Sequence, residues 1–273
     1  MNALQNLHTH TTYCDGKNTP EEMVLAAIER GFGALGFSAH SYMHFTARNA
    51  SLVPEDTAAY KAEIAALKKR YEDKIDLFCG LEYEYYSECE QSGYDYLIGS
   101  VHYFKIDGKY VGFDRSAEVM QDIVNTHFSG DGMAFAKAYY ATLATLPSRG
   151  KFDIIGHVDL IAKHKGTVDF FDEDSKAYQK LACEALDALT GKIPFFEVNT
   201  GCVARGYRKT PYPAPFLLRE LRARGFGAVI SSDCHQAESL DCAFDDAAAL
   251  LESCGFTEKY ILTKKGFEAV ALR

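Results

Sequence analysis

Ile75-Asp76-Leu77-Phe78-Cys79-Gly80-Leu81, followed by Glu82-Tyr83-Glu84, is a short apolar run that leads into two carboxylates spaced two residues apart. Residues i and i+2 of a strand face the same way, so Glu82 and Glu84 project together from one strand end. The same arrangement recurs along the chain: Leu4–Leu7 leads into His8/His10, Phe152–Gly156 into His157/Asp159, Phe195–Val198 into Glu197/Asn199, and Ala228–Ser231 into Asp233/His235. Two further runs, Ala34–Phe37 and Tyr96–Val101, precede His40 and His102. Seven such strands are expected.

Between them lie amphipathic stretches. Thr19-Pro20-Glu21-Glu22 is a helix start, with a threonine cap, proline at the first position and acids in the first turn; the helix should run to about Arg30 and stop at Gly31. Helical patterns also cover Pro54–Tyr71, Ser116–Thr126, Met133–Leu146, Glu173–Leu189, Ala214–Arg224 and Leu240–Cys254, and Ala177, Leu181, Ala185 and Leu189 form the expected buried stripe of the fifth. Strands alternating with helices predict an α/β fold built on a parallel sheet, a (β/α)₇ barrel related to the eight-fold TIM form. With no internal repeat or low-complexity linker, residues 1–273 read as a single domain, a length that α/β barrels commonly reach.

In such barrels the active site lies at the C-terminal ends of the strands, so the polar pairs should converge in one pocket. Any single histidine at a strand end more often caps a loop or satisfies a buried carbonyl, but six of the nine histidines recur there beside carboxylates. Repeated imidazole and carboxylate suits a multinuclear metal site, and without thiolate it suits zinc, iron(II) or manganese without singling one out. His44, His127 and His164 lack a neighbouring strand-end acid; His127 reads as structural, and His44 and His164 lie near the expected pocket.

The net charge of −9 argues against tight binding of long nucleic acid, which depends on phosphate neutralisation by Lys and Arg. A small anionic substrate remains compatible, because metal ions supply local positive charge. Eight cysteines without a CxxC pair read as reduced thiols, with packing the expected role of Cys14 and Cys234. The N-terminal stretch has no signal-peptide pattern and no apolar run suits a bilayer, so a cytoplasmic protein without a membrane partner is expected.

His8-Thr9-His10 with Asp15-Gly16, Ser38-Ala39-His40-Ser41, Gly99-Ser100-Val101-His102, Gly156-His157-Val158-Asp159 and Asp233-Cys234-His235, in this order, resemble the polymerase-and-histidinol-phosphatase (PHP) superfamily of metal-dependent phosphoesterases. Gly80-Leu81-Glu82 and Glu197-Val198-Asn199-Thr200-Gly201 draw the chain toward its histidinol-phosphate phosphatase branch. The resemblance implies a distorted barrel holding three divalent ions: one on His8, His10, Glu82 and Asp233; a second on Glu82, His102 and His157, with Glu82 bridging; a third on Asp15, His40 and His235. Asp15 stands where other branches have histidine, a departure that fits this branch.

It further implies hydrolysis of L-histidinol phosphate to L-histidinol and phosphate, a step of histidine biosynthesis, with Glu82, Asp233 and His235 as catalytic residues and a metal-bridging hydroxide as the attacking group. The loop Asn199–Arg208 supplies cations for the phosphate; Arg205 matches the family's phosphate-binding arginine, with Arg208 the second candidate. Where the family tends to have arginine after the Gly-His-x-Asp motif this chain has Lys163, a point charge without the fork geometry. Asp159, Glu197 and Asn199 are expected to orient ligand imidazoles, Glu197 reading equally as a buried structural acid, and selectivity is expected from Tyr42–Arg48 and around Glu84 and Tyr85. Two other readings keep the ligands: a PHP-type phosphoesterase acting on a nucleotide or other small ester, and a metal-binding domain without catalysis.

Overall fold

The computed structural model describes residues 3–272. Seven parallel strands form the central sheet: β1 (Gln5–Asn6), β2 (Ala34–His40), β3 (Asp76–Glu84), β4 (Tyr96–Ser100), β7 (Ile154–Ile155), β8 (Phe195–Asn199) and β9 (Gly227–Ser231). They pair in that order, and the ends meet at a parallel bridge between Thr9 and Cys234, where the His10 amide donates to the Cys234 carbonyl at 2.9 Å. Closure therefore occurs between His8–His10 and Asp233–His235, two of the expected ligand segments.

The helices α1 (Pro20–Glu29), α2 (Pro54–Arg70), α3 (Ala117–Phe128), α4 (Gly132–Ala144), α5 (Lys176–Leu189), the single turn α6 (Gly201–Ala204), α7 (Pro215–Ala223) and α8 (Phe244–Ser253) fill the connections. Thr19 and Glu22 form a reciprocal capping box at the start of α1, and Gly31 follows its end at φ +75°. The barrel is distorted because residues 85–95 join β3 to β4 without a helix. On α5 the buried stripe is Tyr178, Ala182, Ala185, Leu186 and Leu189; Ala177 is exposed and Leu181 half-buried, so the expected stripe is rotated by about one residue. Tyr178 sets the rotation by stacking on Phe171 and lying 2.8 Å, hydroxyl to hydroxyl, from Tyr140 of α4.

Two antiparallel hairpins were not among the expected elements: β5 (Tyr103–Ile106) with β6 (Lys109–Gly112), and β10 (Glu258–Thr263) with β11 (Gly266–Ala271). The first turns at Asp107-Gly108, both at positive φ, the pairing that two-residue hairpin turns favour. The second packs its Leu262 with the interior residues Leu7, Phe78, Ile98, Ile154 and Val229.

Alternation along the strands divides the two packing layers. On β3, Leu77, Cys79, Leu81 and Tyr83 join the layer under the helices, while Phe78 lies in the barrel interior. The Phe78 face continues through Gly80 to Glu82 and Glu84, so each step toward the C-terminal end becomes more polar. Gly80 and Gly36 leave room for the Tyr96 ring: a Cβ on either would come within 2.3 Å and 2.4 Å of Tyr96 atoms. No helix among the described residues is long and apolar enough to cross a membrane.

Candidate metal centre

Glu82, 1% exposed, is the centre of the polar end of the barrel. Its Oε2 lies 3.3 Å from His8 Nε2, 3.6 Å from His10 Nε2 and 2.7 Å from His40 Nδ1. Its Oε1 lies 3.2 Å from His157 Nε2 and 3.5 Å from His102 Nε2. One carboxylate thus faces five imidazoles. Burial alone would raise its pKa, yet the imidazoles of His8, His40 and His102 hold it well below the usual carboxylate range.

Around this hub the nine expected ligands fall into three groups. Asp233 Oδ1 lies 3.6 Å from His8 Nε2 and 3.2 Å from His10 Nε2, which completes the first group with Glu82. His102 and His157 bring their Nε2 atoms to 3.1 Å beside Glu82 Oε1, the second group. Asp15 Oδ1 lies 3.6 Å from His40 Nε2 and 3.3 Å from His235 Nε2, the third. His10 also borders this last group, with Nδ1 4.0 Å from Asp15. Within each of His8/His10/Asp233, Glu82/His102/His157 and His10/Asp15/His40/His235, one donor atom per residue lies within 4.8 Å of all the others.

These groups can hold metal ions. His8 Nε2 and His10 Nε2 are buried with no hydrogen-bond partner among the described residues, a costly state that a divalent cation relieves. Cys14 Sγ lies 3.5 Å from His10 Nδ1, but burial raises its thiol pKa, and burial drives that of Cys234 to about 12, so both stay protonated. The donor set is imidazole and carboxylate, as zinc, iron(II) and manganese accept.

Surrounding side chains set the ligand orientations. Glu197, also buried, accepts from Ser231 Oγ at 2.6 Å and lies 2.8 Å from His8 Nδ1 through Oε2, while Oε1 accepts from the His157 amide and Asn199 Nδ2, each at 2.8 Å. This fixes Nε2 of His8 toward the cluster. Glu84 does the same for His102: its Oε2 lies 2.9 Å from both the His102 amide nitrogen and Nδ1. Selectivity is expected around Glu84; its place on the interior face of β3 turns its side chain to His102. Asn199 Nδ2 donates to Glu197 and Asp233 and meets no imidazole among the described residues. Asp159 departs further, because β7 ends at Ile155 and strand alternation no longer governs it; its Oδ2 accepts from the Ala214 amide at 2.9 Å and lies 3.8 Å from Arg208. Burial lifts its pKa to about 6, with Arg208 opposing the rise. Asp233 itself has φ +46°, a left-handed backbone conformation.

The cluster opens into a cleft of about 320 Å³. Arg205 lines it, donating Nη1 to the Asp233 carbonyl and Nη2 to Asp233 Oδ2, each at 2.9 Å. Lys163 lines it too, with Nζ 2.8 Å from Asp114 Oδ2. Arg208 lies outside the lining, its guanidinium near Asp159 and over the Tyr212 ring. Of Tyr42–Arg48 only Met43 faces the cleft, and it also borders a neighbouring cavity of about 380 Å³ lined by Tyr42, His44 and Tyr86. Tyr85 is directed elsewhere, its hydroxyl 2.9 Å from Thr145 Oγ1. His164 supports the wall through the Asp114 carbonyl at 3.1 Å, and His127 is exposed on α3. Tyr103, Asp114 and Arg115 complete the cleft; they belong to or follow the β5–β6 hairpin, whose Asp107-Gly108 turn was the sequence signal that could have located them.

The profile of the PHP domain matches residues 6–201. A Deinococcus radiodurans protein bearing the name "Probable histidinol-phosphatase" is 31% identical over 93% of this chain and 95% of its own. The histidinol-phosphatase of Bacillus subtilis is 24% identical over 90% and 98%. Among solved structures, the histidinol phosphate phosphatase of Lactococcus lactis, complexed with zinc, L-histidinol and phosphate, superposes with TM-score 0.74 over 98% of this chain and 100% of its own, at 21% identity.

Proposed function

Because the chain belongs to the PHP domain family, we propose that it is a metal-dependent phosphatase that hydrolyses L-histidinol phosphate to L-histidinol and inorganic phosphate. The observation that carries this reading is the convergence of His8 Nε2 and His10 Nε2, buried and without a hydrogen bond among the described residues, on the buried Glu82 Oε2 beside a cleft that also presents cations. His8, His10, Glu82 and Asp233 would hold one ion, Glu82, His102 and His157 a second, and Asp15, His40 and His235 a third. Zinc, manganese and iron(II) all suit these donors. When bound, such ions lower the pKa of water and neutralise phosphoryl charge.

The chain's own residues do the rest. Glu197 and Glu84 hold His8 and His102 in the tautomers that leave Nε2 free. Asp233 keeps Oδ1 on the cluster while Arg205 and Asn199 occupy Oδ2. Arg205 and Lys163 offer donors to phosphoryl oxygens; Met43, Tyr103 and Leu160 form a less polar wall for the leaving group. Water adds to phosphorus, the ester P–O bond breaks, and one proton of that water passes to the departing alkoxide, giving the alcohol and inorganic phosphate. The reading extends to a cytoplasmic protein acting as one domain over residues 1–273 on a small ester, as part of histidine biosynthesis.

The test is phosphate release from L-histidinol phosphate by protein loaded with manganese or zinc, beside a mononucleotide and an aryl phosphate, with chelator-treated protein as control. Metal-dependent release selective for L-histidinol phosphate is expected. Faster release from the mononucleotide would retain the phosphatase and discard the substrate.

A further inference from the structure

We propose that Arg115 is a substrate-contacting residue that grips the phosphoryl group, a role that rests on the phosphatase reading above. Three cations line the cleft: Arg115, Lys163 and Arg205. Two are already compensated. Arg205 spends both terminal nitrogens on Asp233, and Lys163 sits 2.8 Å from Asp114. Neither can turn fully to an incoming anion without giving up a carboxylate. Arg115 is exposed, and its side chain has no hydrogen bond or ion pair among the described residues.

Its backbone, by contrast, is held on both sides. The Phe113 amide donates to the His102 carbonyl at 3.2 Å, and Phe113 is fully buried. The side chain of Asp114 receives Lys163, and its carbonyl lies 3.1 Å from His164 Nε2. Ser116 then caps α3 by accepting from the Val119 amide. A flexible guanidinium is thus mounted on an anchored stretch that begins beside His102. Its planar fork matches two phosphoryl oxygens, whereas Lys163 supplies a point charge.

The chemistry of the substrate decides which end Arg115 meets. L-Histidinol phosphate carries an ammonium on its leaving group, which a guanidinium repels, and a phosphoryl dianion, which it attracts. Arg115 therefore belongs at the phosphoryl end, where it adds the positive charge that Lys163 and Arg205 share with their carboxylates.

The experiment compares metal-loaded wild type, Arg115→Ala and Arg115→Lys on L-histidinol phosphate and on 4-nitrophenyl phosphate, whose leaving group bears no positive charge. Inhibition by inorganic phosphate is measured kinetically and its binding by calorimetry. Arg115→Ala should weaken KM for both esters and the affinity for phosphate by a similar factor, roughly 10- to 100-fold, the range of a charge-assisted hydrogen bond. Arg115→Lys should recover part of it, and the melting temperature should not move. Unchanged phosphate affinity would overturn the proposal. So would an Arg115→Ala enzyme improved on L-histidinol phosphate alone, since that places the guanidinium at the leaving group. If wild type cleaves neither ester, the phosphatase reading fails by itself, and the calorimetric comparison still decides whether Arg115 binds phosphate.

Discussion

Replacing Glu197 with Gln changes one oxygen to an amide and leaves the shape of the side chain intact. All four groups around Glu197 are arranged to donate to it: His8 Nδ1 and Ser231 Oγ to Oε2, the His157 amide and Asn199 Nδ2 to Oε1. A glutamine must point its NH₂ at one pair. Toward Oε1 it opposes the His157 backbone N–H, which cannot reverse. Toward Oε2 it demands that Ser231 rotate and that His8 accept at Nδ1, which moves the imidazole proton to Nε2, the atom facing Glu82 and Asp233. An Nε2–H imidazole cannot ligate. Loss of such an orienting partner costs about 10- to 100-fold in metal affinity, or about 1.4–2.7 kcal/mol at 1.36 kcal/mol per decade.

The assay is zinc or manganese titration against a competing chelator, with phosphate release measured at each occupancy. Ser231→Ala, which removes one neutral donor, should lose much less. Wild-type metal affinity and turnover in Glu197→Gln, in a protein of unchanged melting temperature, would refute the assignment of Glu197 as the group that sets the His8 tautomer.

Arg205→Ala should lower kcat/KM on phosphomonoesters by about 10- to 100-fold, the range expected for a charged hydrogen bond, and steady-state kinetics checks it. Arg208→Ala should leave KM unchanged but destabilise the fold relative to wild type increasingly above about pH 6, because without Arg208 the buried Asp159 carboxyl holds its proton to higher pH while that of the unfolded chain is already ionised; denaturant melts across pH would reveal the slope. In metal-free protein burial opposes protonation of His102, but Glu82 and Glu84 outweigh it and raise its pKa to about 9, above the unfolded value of 6.5. Its stabilisation, on the order of 3 kcal/mol, should be complete below about pH 6.5 and lost as pH rises through about 9, as thermal melts in chelator will test. Metal binding displaces that proton, so calorimetry near neutral pH should record proton release and tighter binding as pH increases.

Local sequence determined much of this protein. The apolar run Ile75–Leu81 predicted a strand with Glu82 and Glu84 projecting together from its end, and Thr19 with Pro20, Glu21 and Glu22 marked a helix start, because side-chain period and capping are properties of neighbouring residues. The polar residues that end the strands were legible for the same reason, and parallel strands carry those ends to one side of a barrel. Where local order stops, so does the reading. Asp159 was expected to follow His157 into the site, but a strand ending at Ile155 imposes no alternation on it. Arg205 and Arg208, three residues apart in one loop, are separated by their acids: Asp233 draws one to the cleft, Asp159 draws the other away. The five imidazoles around Glu82, the closure between Thr9 and Cys234, and the uncompensated Arg115 beside a neutralised Lys163 depend on contacts between residues far apart in the chain. Spacing in sequence carries no information about such distances, so only the tertiary structure decides which charges meet.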